Sequence, residues 1–538
     1  MAESAGKYDY IIVGAGTAGC VLANRLTQDP NISVLLLEAG AKDDYFRVHL
    51  PIGFLHVNDN PRTDWRYRTQ PDAGLNGRSV SYPSGKILGG SSSINGMIYQ
   101  RGQAQDYDRW AELTGDASWR WEQVLPLFKK SEDYSAGANN FHGAGGDWRV
   151  EKQQLRWSIL DAFRTAAAQS GIPEMDDFGR GSTEEGCAYF DINQKSGLRW
   201  NTAKAFLRTI MRRGNLDIMT GSQVTRLIMQ KTENGTVCTG VEFLGGGREW
   251  TADVSRETIL TAGAFGSPQI LQRSGIGPAA LLQQHGIAPV HDAPGVGENL
   301  QDHLPLQMTF KISGAKSLNT IRRGWMGTAA MGLEYLLKKN GVLSTVPAPL
   351  GAMVRSDPAQ ATPNLSYQVQ PWSQESVDGQ LDSFPAFTVR VCNVKPGARG
   401  HVRIAAPDAL AAPVIAMNYL STPEDRQVAQ DAIRLTRKIV AAPALQAHAL
   451  QELKTDDDLL RLAGSIAIAG ANPVGTCKMG RDDDTHAVVD SELRVRGIVG
   501  LRVADASVMP LITAGDTGAT TILIAEKAAR LIRAARTA

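Results

Sequence analysis

The chain has 538 residues, more than one hydrophobic core usually organises, so two intimately packed domains are expected. Its 43% hydrophobic and 21% charged residues match an ordinary globular protein. The net charge is +1, with no block of five or more like charges, which argues against a nucleic-acid partner, since such binding needs clustered Lys and Arg.

The five cysteines (Cys20, Cys187, Cys238, Cys392 and Cys477) are odd in number and widely spaced, without a CxxC pair. Neither a disulfide framework nor a structural zinc site is expected, and a reducing cytoplasmic setting fits. No secretory apolar segment precedes Tyr10, and nowhere do ~18 apolar residues run together. Oligomeric state leaves no mark on the sequence.

In chain order, Tyr8 to Val13 reads as a strand, Ala18 to Leu26 as a helix, and Val34 to Leu37 as a buried strand. This βαβ unit predicts a parallel sheet with helices on its faces, hence an α/β fold. The middle predicts a mainly antiparallel sheet in an α+β region: Asn364 to Val369, Ala386 to Val394 and His401 to Ile404 alternate in part and are separated by Pro/Gly turns. Pro423 to Val440 reads as a long helix. Gly500 to Ala504 reads as a strand, and from Thr520 an amphipathic basic helix follows. That last helix is able to touch a membrane surface, but packing on its own domain is the expected arrangement.

Gly14-Ala15-Gly16-Thr17-Ala18-Gly19 is a GxGxxG that follows a strand and opens a helix. Gly14 permits the tight turn, Gly16 lets backbone approach a pyrophosphate, and Gly19 allows close helix–strand packing. The helix dipole and free N–H groups then face the phosphates. Glu38 ends the second strand, where a carboxylate accepts ribose hydroxyls and repels a 2′-phosphate. A second small-residue stretch, Gly85 to Gly96, is able to lie against a large flat ligand.

Together these motifs resemble the glucose–methanol–choline oxidoreductases, most closely their choline-dehydrogenase-like alcohol dehydrogenases and oxidases. Further carriers are Tyr99 to Asp108, Gly263 to Pro268, Gly295 to His303, Gly475 to Gly480 and Asp505 to Pro510. The resemblance implies FAD held between a Rossmann-like domain and a substrate domain. The first is expected over 1–160, 195–303 and 466–538, the second over 161–194 and 304–465. Cofactor contacts are implied at Gly14, Gly16, Thr17, Ala18, Gly19, Glu38 and Ala39, and at Gly89, Ser91, Asn95, Gly96 and Met97. Val224, Ala262, Gly263, Asp505, Ala506 and Thr517 complete that set. Some family members link flavin covalently through a His where this chain has Ile94, so the FAD here is expected to be non-covalent.

Oxidising an alcohol requires a proton acceptor, usually a His. The family's His-Pro-x-Gly-Thr reads Asn472-Pro473-Val474-Gly475-Thr476 here, and its second polar position is Gly518. An Asn amide cannot take a proton at ordinary pH. Asp516 is the nearest ionisable candidate, given burial enough to raise its pKa; its other reading is a turn residue capping backbone N–H groups. His448 and His486 read as surface or loop residues, and Asp302-His303 as a satisfied structural pair. Cys477 reads as packing, and Trp372 either lines the pocket or packs.

Three readings follow. The first is oxidation of a small or medium primary alcohol, with hydride passing to flavin and an acceptor or oxygen taking the electrons. In the second, Thr517-Gly518-Ala519 resembles the algal fatty acid photodecarboxylases, and Lys395 or Arg399 would meet a carboxylate. The third is a catalytically altered flavin-binding relative.

Overall fold

β1 (Glu3–Val13), α1 (Thr17–Leu26) and β2 (Val34–Glu38) form the opening unit. The computed structural model describes residues 2–233, 235–321, 335, 341–374 and 380–535. Along the chain follow β3 (Gly186–Tyr189), β4 (Leu216–Thr220), β5 (Ser222–Thr232), β6 (Gly235–Gly245), β7 (Arg248–Leu260) and α2 (Gly263–Arg273). Next come β8 (Leu306–Lys311), β9 (Leu350–Val354), β10 (Leu365–Gln370), β11 (Ala386–Asn393) and α3 (Pro423–Val440). β12 (Leu501–Val503) and α4 (Thr517–Ala535) close the described chain.

The first sheet runs β4-β2-β1-β7-β6-β5, with β12 beside β7. β4, β2, β1, β7 and β12 pair in parallel, whereas β5, β6 and β7 pair antiparallel. β2 (Val-Leu-Leu-Leu-Glu) is buried along its whole length, as a parallel strand covered on both faces must be. β1 begins earlier than the apolar run predicts. Glu3 and Ser4 pair with Trp250 and Thr251, and ladder hydrogen bonds carry polar residues into the sheet without burying them.

The second sheet is antiparallel, in the order β8-β11-β10-β9-β3 with the short strand Gln451–Glu452 outside β8. His401–Arg403, expected in that sheet, pairs instead with Val414–Ala416 in a separate two-stranded ribbon. Behind the sheet lies α3, whose ends follow from its sequence. The Thr422 side chain accepts from the Asp425 N–H, Pro423 sits at the first turn, and Arg437 and Lys438 face the negative end of the helix dipole. Each sheet has its own hydrophobic core.

α4 packs on α1 and not on solvent, with Ile522, Leu523, Ile524 and Ala528 buried. Among the described residues, no helix is long and apolar enough to cross a membrane. The two chain ends are tied by a buried cluster. Glu526 Oε1 accepts from Arg25 at 2.6 Å and from Ser131 Oγ at 2.9 Å, and Glu526 Oε2 pairs with Lys130 at 2.9 Å. Arg25 also pairs with Asp147 at 2.8 Å and Lys130 is exposed, so neither cation is stranded when Glu526 is removed. Glu526→Ala is expected to cost about 1–3 kcal/mol through the lost charge-assisted hydrogen bonds, read as a lower urea midpoint by tryptophan fluorescence.

Candidate active site

A cavity of about 1260 Å³ runs between the two sheets. That exceeds the roughly 300–1,000 Å³ of most small-molecule sites, leaving room for a dinucleotide and a substrate.

One end is built by the opening unit. Gly14 adopts φ +104°, and a Cβ there would lie 2.6 Å from the Thr261 carbonyl oxygen. A Cβ on Gly19 would sit 1.9 Å from the Gly14 carbonyl oxygen, so α1 can approach the turn only with glycine there. Gly16, the residue at the N-cap, makes no side-chain cap, which leaves the first N–H groups of α1 for a ligand. Gly90 abuts the same turn, its own Cβ direction 2.7 Å from Gly16 Cα. Glu38 is buried at this end, accepting from Ala15 N at 2.9 Å and Gly40 N at 2.7 Å. Burial pushes its carboxyl up to about 7, against the pull of those N–H groups and Lys86. Uncapped N–H groups, a glycine cradle and a buried acceptor suit the pyrophosphate and ribose of a dinucleotide.

Thr17, Ala18, Ala39, Ser91, Asn95, Gly96, Met97, Val224, Ala262, Gly263, Ala506 and Thr517 also line the cavity. Gly19 and Gly89 do not, because each supports the loop from behind. Asp505 lines it with its carboxylate committed to the protein: Gly263 N, Ser267 Oγ and Ser507 N all donate to it. Ile94, where a covalent link would form, lines the cavity and packs against Val48, Val57 and Ile87.

At the other end, the chain before α4 meets the segment 470–473. Asn472 is held by its backbone N–H, which donates to Asp302 Oδ1 at 2.8 Å. Its Oδ1 accepts from Thr517 Oγ1 at 3.2 Å, and its Nδ2 lies 3.4 Å from His303 Nδ1. Asp516 and Gly518 line the cavity beside it. Burial pushes the Asp516 carboxyl up to about 6, with the Asn472 side chain pulling it the other way. No backbone N–H among the described residues donates to Asp516, so the capping role read from sequence is absent. A Cβ on Gly518 would meet nothing within 4 Å, so the cavity is open where the family's second polar side chain would stand.

A side recess of about 60 Å³ opens here, lined by His303, Gln368, Arg390, Asn472 and Asp516 among others. His303 departs from its expected role as a satisfied structural residue. Burial lowers its pKa to about 4, and its Nε2 has no hydrogen-bond partner among the described residues. Sequence spacing missed it because nearly 170 positions separate it from Asn472.

Lys395 and Arg399 lie outside the cavity lining. The Lys395 ammonium bonds Thr362 Oγ1, and Arg399 donates to Asn299 Oδ1 and to the carbonyls of Pro396 and Ala398. Both stand after β11, on a turn that leads away from the site. Arg390, on β11 itself, is the basic residue that lines both the cavity and its side recess. Trp372 fulfils both of its readings, since it lines the cavity while its Nε1 donates to the Pro347 carbonyl at 2.8 Å. His486 is exposed and His448 half-buried on the surface, bonded to Ser313. Cys477 is buried in the first core, away from the cavity.

Such a scaffold, a Rossmann-like half facing an antiparallel sheet across one long cleft, defines a flavin-dependent oxidoreductase. Family models described as GMC oxidoreductase match residues 8–305 and 396–525. The chain belongs to the GMC oxidoreductases. It is 38% identical to an alcohol dehydrogenase (acceptor) of Pseudomonas putida over 98% of this chain and 95% of that one. It is 39% identical to an oxygen-dependent choline dehydrogenase of Photobacterium profundum over 98% and 93%. A pyridoxine 4-oxidase from Mesorbium loti superposes with a TM-score of 0.88 at 30% identity, covering 98% of this chain and 99% of that one.

Proposed function

We propose that the chain oxidises the CH–OH group of a small or medium primary alcohol in the dark, with Asp516 as the proton acceptor. The observation that carries this is Asp516 itself, a carboxylate facing the cavity beside Asn472 with its pKa raised to about 6. A base with a pKa near working pH is what hydroxyl deprotonation calls for. Bound FAD supplies the two-electron acceptor for the hydride.

The residues at the base end divide the remaining work. Asn472 is fixed by Asp302 and Thr517, and its amide orients the hydroxyl without changing charge. The hydroxyl proton passes to Asp516 as the substrate carbon gives up hydride, leaving an aldehyde and a protonated carboxyl. An external acceptor or oxygen then removes the electrons. At the cofactor end the N–H groups of α1 and Glu38 hold the pyrophosphate and ribose. We also infer the division of the chain into 1–160, 195–303 and 466–538 around the cofactor, and 161–194 and 304–465 around the substrate. That division is supported by the second sheet, whose strands β3 and β8 to β11 all fall in the latter ranges.

The relatives' names support the dark reaction over a light-driven decarboxylation. The deciding experiment mixes holoenzyme anaerobically in the dark with primary alcohols from ethanol to octanol and follows the visible flavin band. Bleaching is expected. An unbleached flavin with every alcohol, together with carbon dioxide release from a fatty acid under illumination, would reject the reading.

A further inference from the structure

The substrate sheet presents a cation to the cavity that neither the cofactor nor the proton transfer uses. Arg390 lies on β11, in register with Gln307 on β8 and Gln368 on β10. With a side-chain period of two, these three side chains stand in one row on the same face of the sheet. Arg390 lines both the main cavity and the side recess, as does Gln368. The Arg390 Nε donates to Gln307 Oε1 at 3.1 Å. No carboxylate pairs with it among the described residues, although most arginines of the chain have such a partner.

A shielded guanidinium without a counter-ion is costly, and its remaining donors are geometrically matched to a carboxylate. Among the described residues, three acids line the cavity: Asp516 borders the recess with Arg390 but makes no ion pair with it, and the other two stand at the far end. Glu38 and Asp505 are engaged by backbone N–H groups at the cofactor end. His303, in the same recess, is neutral at working pH.

We propose that the alcohol oxidised here carries a carboxylate, which docks on Arg390 with Gln368 alongside. The inference rests on the alcohol-oxidising reading above and names its substrate class: hydroxycarboxylates. The recess, about 60 Å³, is large enough to take a carboxylate group. Arg390 and Asp516 both border it, so carbinol and carboxylate are separated by a short chain. A quaternary ammonium alcohol such as choline meets like charge at this point.

Two measurements on holoenzyme, both dark and anaerobic, test this. In the first, acetate, propanoate and butanoate are titrated while the oxidised flavin spectrum is recorded. Saturable perturbation is expected, with Kd raised roughly tenfold or more in Arg390→Gln and partly recovered in Arg390→Lys. In the second, flavin reduction by 3-hydroxypropanoate and 4-hydroxybutanoate is compared with propanol and butanol. The carboxylates are expected to be preferred at least tenfold in kred/Kd, and that ratio should collapse in Arg390→Gln. If alcohols bleach the flavin with no such preference, or choline binds more tightly than the carboxylates, the inference fails and the alcohol reading stands. Should carboxylates bind through Arg390 while no alcohol of either kind reduces the flavin, the anion site stands and the alcohol reading fails.

Discussion

Asp516→Asn lowers the dark, anaerobic rate of flavin reduction by roughly 10²–10⁴-fold while the FAD stays bound. The expectation rests on where the proton goes. The substituted amide keeps the size of the carboxylate but cannot accept a proton, and Asn472 beside it cannot either. Among the described residues, His303 is the only imidazole bordering the recess. With its pKa lowered to about 4 it is a weak base, and it is turned toward the Asn472 amide. The pH dependence carries the sign of a base. Only ionised Asp516 is competent, so below about 6 the rate of the unmodified enzyme falls as the carboxyl protonates, approaching tenfold per pH unit, and above it the rate levels. Asp516→Asn should lose that limb of the profile, which a purely structural role would leave in place. Because the space beside Gly518 is open, the combination Asn472→His with Gly518→Asn is expected to restore reduction in the Asp516→Asn background. Stopped-flow reduction across pH checks all three statements.

Gly19→Val abolishes FAD binding. The first side-chain carbon would fall 1.9 Å from the Gly14 carbonyl oxygen and 3.0 Å from Thr261 Oγ1. The nearer contact is backbone, and Gly14 is itself pinned by Thr261, so neither can retreat without opening the turn. Moving α1 outward displaces the N–H groups that would meet the pyrophosphate. It also disturbs Glu38, whose Oε2 accepts from Ala15 N inside the same turn. Gly214→Ala is the control, because a Cβ there meets nothing within 4 Å. The ratio of visible to ultraviolet absorbance after purification should be near zero for Gly19→Val and unchanged for Gly214→Ala.

The reading from sequence was strongest where function is written in consecutive residues. The GxGxxG turn, the apolar run Val34 to Leu37 of β2 and the Pro423 start of α3 are local statements, and the structure places them as read. α4 begins three residues earlier than its apolar pattern suggests, since Thr517 and Gly518 enter the helix without an apolar side chain. Arg390 was invisible because β11 reads as an apolar strand, and only the register against β8 and β10 shows which glutamines flank it. Lys395 and Arg399 looked suitable by position, yet the chain beyond β11 carries them to Thr362 and Asn299. The His303–Asn472 contact likewise depends on the pairing of Gln301 with Val474, which no local pattern announces.

What the account depends on most is a flavin gripped at the head of α1 and not bonded to the protein, with an aliphatic Ile94 where a link would form. The direct test precipitates the freshly purified yellow protein with acid and asks where the colour goes. All of it should appear in the supernatant as intact FAD, leaving a white pellet. A pellet that keeps the flavin, or a colourless protein that takes up no added FAD, would contradict the account.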